Sequence, residues 1–289
     1  LENRVDGACV RYLNYKKKTH KLPTAVFLQG NSGKNIRDGS AFKSGKEIIN
    51  VLFGQSPINK NVGSVVSSRY GHYKNGFQIS SCQFAIHYFF KNEETLYGFV
   101  KNVCECTSVN GYFIGTSYDG AKILQLLQKN SHVERSNNTK KVIWEIIKKY
   151  DKEEFPNDKR SLGYTISVYQ ESINQYIDEY LVNYVYFNEI MNLFGFQQEQ
   201  KNKIAGVGSF ENLFIQMLNE LQQKQITETN IKSSAKMSAN EKFISFLNNY
   251  FIYKKTNNVN ANDVYAMLMK NVDLNVDVDL DMEKVNVDL

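Results

Sequence analysis

The order of apolar runs and helix signals between residues 24 and 127 constrains the fold of this chain more than any other feature. Three short apolar runs have the length and composition of buried strands, and helix signals lie between and after them. The predicted strands are residues 24–28, 77–85 and 112–116, and the predicted helices are residues 48–53, 92–104 and 119–127. Because strands alternate with helices, this region predicts a parallel α/β sheet.

The second half of the chain has a different pattern. Strands are predicted at residues 141–147, 162–169 and 250–254, and helices at residues 178–194, 209–221 and from residue 238 onward. Gly195 provides a stop for the first of these helices, and Ser238 with Glu241 forms a capping box at the start of the last one. The second half is therefore predicted to form a separate part that contains both strands and helices and follows the α/β region.

The charge of the chain is unevenly distributed. The formal net charge is +5, but residues 271–289 contain six acidic residues and one lysine, so they contribute −5 and the other 270 residues contribute about +10. A surplus of this size is compatible with a polyanionic partner such as RNA. From composition alone, ordinary solubility charge is the simpler interpretation. The acidic tail has low complexity and predicts disorder.

The cysteines and the hydropathy pattern argue against several classes of protein. The four cysteines, Cys9, Cys82, Cys104 and Cys106, form no C-x-x-C pair, so they predict free thiols in a reducing compartment and no metal site. No apolar run approaches the roughly 18 residues that a transmembrane helix needs, and no signal peptide is visible. We therefore expect a cytoplasmic protein.

Two motifs at a defined spacing resemble the mRNA cap guanine-N7 methyltransferases. Residues 80–90 are SSCQFAIHYFF, and residues 111–116, after an intervening helix, are GYFIGT. The resemblance extends over residues 1–256, with a glycine-broken insert at about residues 33–76 that is similar to the giant-virus branch of the family. It implies a class I, Rossmann-like methyltransferase sheet with an added antiparallel and helical cap-binding part. Residues 257–289 are then a C-terminal extension.

The resemblance also predicts what lies outside the chain. The glycine-rich S-adenosylmethionine loop and the acid that binds the cofactor ribose are expected before Leu1, together with the first strands of the sheet. Glycine is needed in such a loop because the backbone must approach the ligand closely. In large DNA viruses the domain follows guanylyltransferase and triphosphatase domains, which are the expected partners along with the capped mRNA 5′ end. A viral factory or a virion is then the expected location.

The resemblance assigns the cap-binding residues one by one. His87, in the QFxxHY motif, is expected to contact the cap guanine at its O6 edge. Glu179, at the start of the helix predicted over residues 178–194, is expected to accept hydrogen bonds from guanine N1–H and N2–H. The other predicted cap-binding residues are Arg11, Phe84, Tyr118 and Asn248. Tyr118 and Asn248 depart from the Pro and Tyr that are usual in the family.

The predicted cofactor residues are five: Asn31, Ser32, Gln83, Phe84 and Tyr88. Asn31 stands where the family usually has an Asp, and its side-chain carbonyl can still accept a hydrogen bond from adenine. Without the resemblance, each residue has an ordinary explanation: His87 and Tyr88 as core aromatics, Gln83 as a solvated strand end, and Glu179 as an acid in a first helical turn.

The predicted reaction is transfer of the S-adenosylmethionine methyl group to N7 of the cap guanine. N7 already has a free lone pair, so no general base is expected, and positioning and electrostatics carry the reaction. The alternative is a non-catalytic fragment or subunit that binds cap or a partner. Ribose 2′-O methylation is disfavoured because that chemistry needs a lysine-centred group of charged residues.

Overall fold

The computed structural model describes residues 7–19, 22–58, 62–199, 206–223 and 233–270. The acidic tail at residues 271–289 lies outside these ranges. The strands are β1 (Phe77–Gln83), β2 (Thr107–Tyr118), β3 (His132–Ser136), β4 (Val142–Lys148), β5 (Thr165–Gln170), β6 (Gln175–Tyr180), β7 (Phe196–Gln198), β8 (Val207–Ser209) and β9 (Asn248–Lys255). The α-helices are α1 (Ala8–Lys18), α2 (Lys46–Phe53), α3 (Ser64–Ser67), α4 (Glu93–Cys106), α5 (Gly120–Leu127), α6 (Tyr184–Leu193), α7 (Phe210–Gln223), α8 (Ala239–Phe246) and α9 (Ala261–Met269). None of the described helices is both long and apolar enough to cross a lipid bilayer.

The first sheet is mixed and has the order β1-β2-β9-β7, with β8 also paired to β9. Among the strand pairs of the described residues, only β1 with β2 is parallel, and β9 runs antiparallel to β2. The strand predicted at residues 24–28 is wrong, because these residues form no regular structure. Val26 and Phe27 are partly exposed, and no described strand lies beside them to satisfy their backbone groups.

Packing explains why the second glycine of the GYFIGT motif, Gly115, has to be a glycine. A Cβ atom on Gly115 would lie 2.2 Å from the ring of Phe251 on β9 and 2.3 Å from the carbonyl oxygen of Cys82 on β1. The central strand β2 can therefore fit between its two neighbours only if this position has no side chain. The parallel pair and β9 cover one apolar core, in which Phe113, Phe187 and Phe251 are fully buried.

The second sheet is antiparallel, with the order β3-β4-β5-β6 and a separate core around the buried Trp144. The helix predicted at residues 178–194 is wrong in its first part. Residues up to Tyr180 belong to β6, which pairs with β5, and the helix begins only at Tyr184, where Asn183 caps the backbone N–H groups of Val185 and Tyr186. The local sequence pattern favoured a helix, but hydrogen-bonded pairing with β5 makes these residues a strand.

Helix α4 packs against β1 and β2 of the first sheet and also contacts α6 and α9. The helix begins close to its predicted start, where Asn92 and Thr95 form a capping box. Its other end is closed by the buried Lys255, whose Nζ donates hydrogen bonds to the carbonyl oxygens of Cys104 and Thr107 at 2.6 and 3.0 Å. A cation at a helix C-terminus interacts favourably with the helix dipole. Helix α9, which the sequence analysis did not predict, packs against α4.

Candidate functional site

A cavity of about 400 Å³ lies where the two sheets meet, at the carboxyl end of β2. We call it the Glu179 cavity. It is lined by Phe84, His87, Tyr88, Ser117, Tyr118, Gln170, Ile173, Ile177, Glu179, Phe210, Ile244, Ser245 and Asn248. Five of the six predicted cap-binding residues therefore come from four separate segments of the chain to one cavity. Tyr88, which was predicted to bind the cofactor, also lines it.

The most unusual pair in the cavity is His87 with Glu179. His87 is 4% exposed, and neither of its ring nitrogens has a hydrogen-bond partner among the described residues, although Nδ1 lies 3.6 Å from Glu179 Oε2. Burial lowers the pKa of His87 to about 4 and raises the pKa of Glu179 to about 7. A buried polar group without a partner is costly, so this pair is suited to a ligand that can supply hydrogen bonds.

The strand geometry of β6 separates Glu179 from its neighbour. Side chains alternate between the two faces of a strand, so Asp178 and Glu179 point to opposite sides of the sheet. Asp178 is exposed, and its Oδ1 lies 2.8 Å from Lys149 Nζ, which lowers the pKa of Asp178. Glu179 lines the cavity instead.

Tyr118 and Asn248 face each other in the register of β2 and β9. The Tyr118 hydroxyl oxygen accepts a hydrogen bond of 2.8 Å from Gln170 Nε2, which links the first sheet to the second. Asn248 donates through Nδ2 to the carbonyl oxygens of Ile244 and Ser245, so it also caps the end of α8.

Two partly exposed aromatic rings form an open wall of the cavity. Phe84 is 55% exposed and Tyr88 is 44% exposed, and the Phe84 ring meets Phe210 edge to face at 5.9 Å. The backbone of Phe84 has a φ of 49°, which is strained for a residue with a side chain. Strain of this kind accumulates at functional sites, because the surrounding structure must hold the residue in place.

The predicted cofactor residues lie in two places. Gln83 ends β1, where its Oε1 accepts a hydrogen bond from Thr116 Oγ1, and Phe84 and Tyr88 follow it. The carboxyl end of a parallel strand pair is the edge at which α/β sheets bind ligands. Partly exposed aromatic rings beside an amide also fit the cationic sulfonium of S-adenosylmethionine. These residues therefore fit one flank of such a site.

Asn31 and Ser32 do not line the Glu179 cavity. Their turn is fixed by Asn102 on α4, a buried residue to which the sequence analysis gave no role. Asn102 Nδ2 donates to the carbonyl oxygens of Ser32 and Lys34, and Asn102 Oδ1 accepts from the backbone N–H of Ile36. One turn earlier on the same helix, Gly98 leaves room for the turn, because a Cβ atom there would lie 2.4 Å from the carbonyl oxygen of Gly33.

Arg11 is the predicted cap-binding residue that the structure does not bring to the cavity. It is exposed on α1, a helix without any buried residue. The contacts that α1 makes include the ring of Tyr12 against the ring of Phe27 at 5.5 Å. The role of Arg11 stays a prediction.

Sequence reasoning missed several cavity residues on the β5–β6 hairpin, namely Gln170, Ile173 and Ile177. A signal for them was present, because Ile177 and Glu179 have the two-residue spacing of one strand face. This signal was lost once residues 178–194 were interpreted as one helix. Phe210 and Ser245 come from helices that were predicted correctly, but nothing in their local sequence indicates which way they face.

The fold and the cavity together define a class of protein. The chain is an α/β protein with a mixed sheet and a ligand-sized cavity at the carboxyl end of its parallel strand pair, which is consistent with the class I methyltransferase fold. A sequence model described as the mRNA (guanine-N(7))-methyltransferase domain matches residues 46–256. The chain belongs to this family.

The similar proteins include a probable mRNA-capping enzyme and mRNA cap guanine-N(7) methyltransferases. The chain is 25% identical over 286 residues to the probable mRNA-capping enzyme of Acanthamoeba polyphaga mimivirus, which covers 89% of this chain and 23% of that protein. It is 26% identical over 163 residues to the mRNA cap guanine-N(7) methyltransferase of Aspergillus niger, which covers 53% of this chain and 25% of that protein. The chain thus spans about a quarter of the length of these relatives. Among solved structures, the CcbJ methyltransferase from Streptomyces caelestis has a TM-score of only 0.36 at 10% identity, over 64% of this chain and 59% of that one, and carries no argument.

Proposed function

We propose that this chain binds the guanine of an mRNA cap in the Glu179 cavity and takes part in methyl transfer from S-adenosylmethionine to guanine N7. The observation that carries the proposal is the pair of the buried His87 and the largely buried Glu179 in a cavity of about 400 Å³ with aromatic walls. Cap recognition needs a group that accepts from the base edge and rings that pack on its faces, and the cavity contains both.

Glu179 would read the Watson–Crick edge of guanine. A carboxylate can accept hydrogen bonds from N1–H and from the N2 amino group together, whereas adenine has no donor at N1 or at C2. The same carboxylate favours the positive charge that the base acquires on N7 methylation. Because the side chain of Glu179 is only 13% exposed, this electrostatic interaction is stronger than it would be in water.

His87 would hold the guanine from a second direction. The low pKa of about 4 keeps its ring neutral, so it has one N–H donor and one acceptor. A donor is suited to O6 of the base. A neutral ring also adds no repulsion to the cationic product. Phe84, with Phe210 behind it, would pack against the face of the guanine.

No general base is needed in this proposal. N7 carries a free lone pair and no proton, so no proton has to be removed before it attacks the methyl group. S-adenosylmethionine supplies the methyl group when it is bound, and we propose Asn31, Ser32, Gln83, Phe84 and Tyr88 as residues of this chain that hold it. The cavity residues then contribute by positioning the guanine and excluding water around it.

A non-catalytic cap-binding function remains a second candidate. It is favoured by one observation: five of the six proposed cap-binding residues line the Glu179 cavity, whereas Asn31, Ser32 and Gln83 of the proposed cofactor residues do not. The two candidates differ in one measurable respect, because only the first predicts a methylated product.

The wider context is part of the proposal. We propose residues 1–256 as the methyltransferase domain and residues 257–289 as an extension. Because the mimivirus relative is named a probable mRNA-capping enzyme and is much longer, guanylyltransferase and triphosphatase activities on the same polypeptide are the proposed partners. The proposed location is the cytoplasm, in a viral factory or a virion.

The deciding experiment is a methylation assay with GpppA-capped RNA and a labelled methyl donor. It uses the 289-residue chain and, in parallel, the chain extended by any sequence that its gene encodes before Leu1. We expect N7-methylguanosine after nuclease digestion. Methyl groups on ribose would overturn the proposed reaction, and cap binding without any product would leave the second candidate.

A further inference from the structure

We propose that the hydroxyl of Tyr118 is a specificity-determining donor that reads O6 of the cap guanine, and that Gln170 positions this hydroxyl. The inference rests on the proposed function, because it assumes that guanine occupies the Glu179 cavity. It assigns a role to Gln170, which no sequence motif indicated, and a hydrogen-bonding role to Tyr118.

The direction of one hydrogen bond carries the argument. Gln170 Nε2 donates to the Tyr118 hydroxyl oxygen at 2.8 Å. Because the hydroxyl oxygen accepts this hydrogen bond, the hydroxyl proton of Tyr118 is not used in it and can be donated to another acceptor. Tyr118 is 7% exposed and lines the cavity, so the cavity is where an acceptor can reach it.

The phenol keeps its proton over the whole physiological pH range. Burial raises the pKa of Tyr118, and the nearby carboxylate of Glu179 raises it further. The cavity therefore presents a fixed donor, Tyr118, near Glu179, whose carboxylate form is an acceptor.

This pattern is complementary to guanine. The guanine edge has an acceptor at O6 next to donors at N1 and N2, whereas adenine has a donor amino group at position 6 and an acceptor at N1. With adenine, Tyr118 and Glu179 would both face a group of the wrong kind. O6 has two lone pairs, so an N–H from His87 can share it with Tyr118.

Gln170 is a positioning residue rather than a catalytic one. It lies on β5 in the second sheet, and Tyr118 ends β2 in the first sheet, so their hydrogen bond joins the two sheets at the wall of the cavity. Without the amide N–H, the phenol can rotate its proton toward other acceptors. The loss of Gln170 should then weaken recognition of O6 while the Tyr118 ring stays in place.

The test measures binding of GpppA by calorimetry, together with the same dinucleotide containing 6-thioguanine. The thio analogue keeps the N1 and N2 donors but has a weak acceptor at position 6. We expect Tyr118→Phe and Gln170→Met to bind GpppA about threefold to tenfold more weakly than wild type, the size of one neutral hydrogen bond. Both variants should bind the thio analogue within about twofold of wild type, because that ligand never made the bond.

Two further variants sharpen the test. Gln170→Glu keeps the shape of the side chain but reverses its polarity, so it would accept the Tyr118 proton and should also lose the preference for O6. Tyr169→Phe is the matched control, because Tyr169 precedes Gln170 on β5 and its hydroxyl bonds Asn174 Oδ1 outside the cavity. This control should bind both ligands like wild type, and thermal unfolding would verify that every variant is folded.

The outcomes separate the two levels of the proposal. Equal losses for GpppA and the thio analogue would mean that Tyr118 and Gln170 only shape the cavity, and unchanged affinity for GpppA would mean that the phenol does not touch the base. Either result overturns this inference and leaves the proposed function intact. A wild-type chain that binds neither ligand overturns both.

Discussion

His87 Nδ1 and Glu179 Oε2 lie 3.6 Å apart, and burial favours the neutral form of each. A histidine and a carboxyl group at this distance in water would form an ion pair. Burial penalises the charged form of both groups, so the pair carries little charge between about pH 4 and pH 7, and Glu179 ionises as the pH rises through about 7. A guanine that donates to Glu179 would reverse this balance, because it stabilises the ionised carboxylate.

The first prediction compares the methylation rates of variants at two neighbouring acidic residues, Glu179 and Asp178. Glu179→Gln should slow N7 methylation by about tenfold to several hundredfold, because charged hydrogen bonds are worth roughly 1.5–3 kcal/mol each and tenfold in rate is about 1.4 kcal/mol. Glutamine would also place an NH₂ donor against a donor edge. Steady-state rates with GpppA-capped RNA measure the effect.

Asp178→Asn is the matched control for this change. Asp178 lies on the opposite face of β6 and pairs with Lys149 at the surface, where an exposed ion pair is worth only about 0–1 kcal/mol. Its rate should stay within about twofold of wild type. If Asp178→Asn proves the slower variant, Glu179 is not the residue that reads guanine.

The second prediction concerns the pH dependence of cap binding. The carboxylate form of Glu179 binds guanine, and in the free protein burial raises the pKa of this group to about 7. The affinity for GpppA should therefore fall about tenfold as the pH is lowered from 8 to 6. Calorimetry at several pH values measures this slope. Glu179→Gln should abolish the slope, and an equal slope in that variant would contradict the assignment.

The third prediction is that Glu179→Gln makes the ligand-free protein more stable at pH 8. The folded-state pKa of Glu179 lies above the ordinary value of 4.5, so its protonated form stabilises the fold below pH 4.5, and this contribution is lost as the pH rises through about 7. Removing the buried charge should add about 1–3 kcal/mol to the free energy of unfolding at pH 8 and little at pH 4.5. Denaturant unfolding at both pH values tests this, and a variant that is less stable at pH 8 would contradict it.

The fourth prediction concerns Gly98. Alanine in the middle of a helix is normally better than glycine by about 1 kcal/mol. At Gly98 the added Cβ would lie 2.4 Å from the carbonyl oxygen of Gly33, so α4 and the turn at residues 31–36 would have to separate. Gly98→Ala should therefore destabilise the protein by about 1–3 kcal/mol in denaturant unfolding. A gain in stability would show that the turn is not seated on α4 as described.

The sequence predicted the parts of the site that depend on local signals. The strand that leads into QFxxHY, the helix that begins after Asn92 and the strand with GYFIGT are each specified by residues close in sequence, and all three are confirmed. The family resemblance also indicated Glu179 as a candidate, although the strand that carries it was predicted as a helix.

The remaining parts of the site depend on contacts between residues that are far apart in the sequence. Glu179 lies on a strand because β5 pairs with it, and Gln170 lines the cavity because the two sheets meet there. The prediction at residues 24–28 failed for the related reason that an apolar run becomes a strand only beside a partner. Domain boundaries and the roles of the site residues stay predictions.

The pairing of β2 with β9 also determines when the cavity can form. Tyr118 lies opposite Asn248, so two walls of the Glu179 cavity are separated by 130 residues of chain. Synthesis is vectorial, and a ribosome adds only about 5–20 residues per second, so β2 emerges several seconds or more before its partner. During that interval one edge of β2 is open and can pair with a wrong strand. Folding of this domain is therefore completed late, and a ribosome that stops before β9 releases a chain without a site.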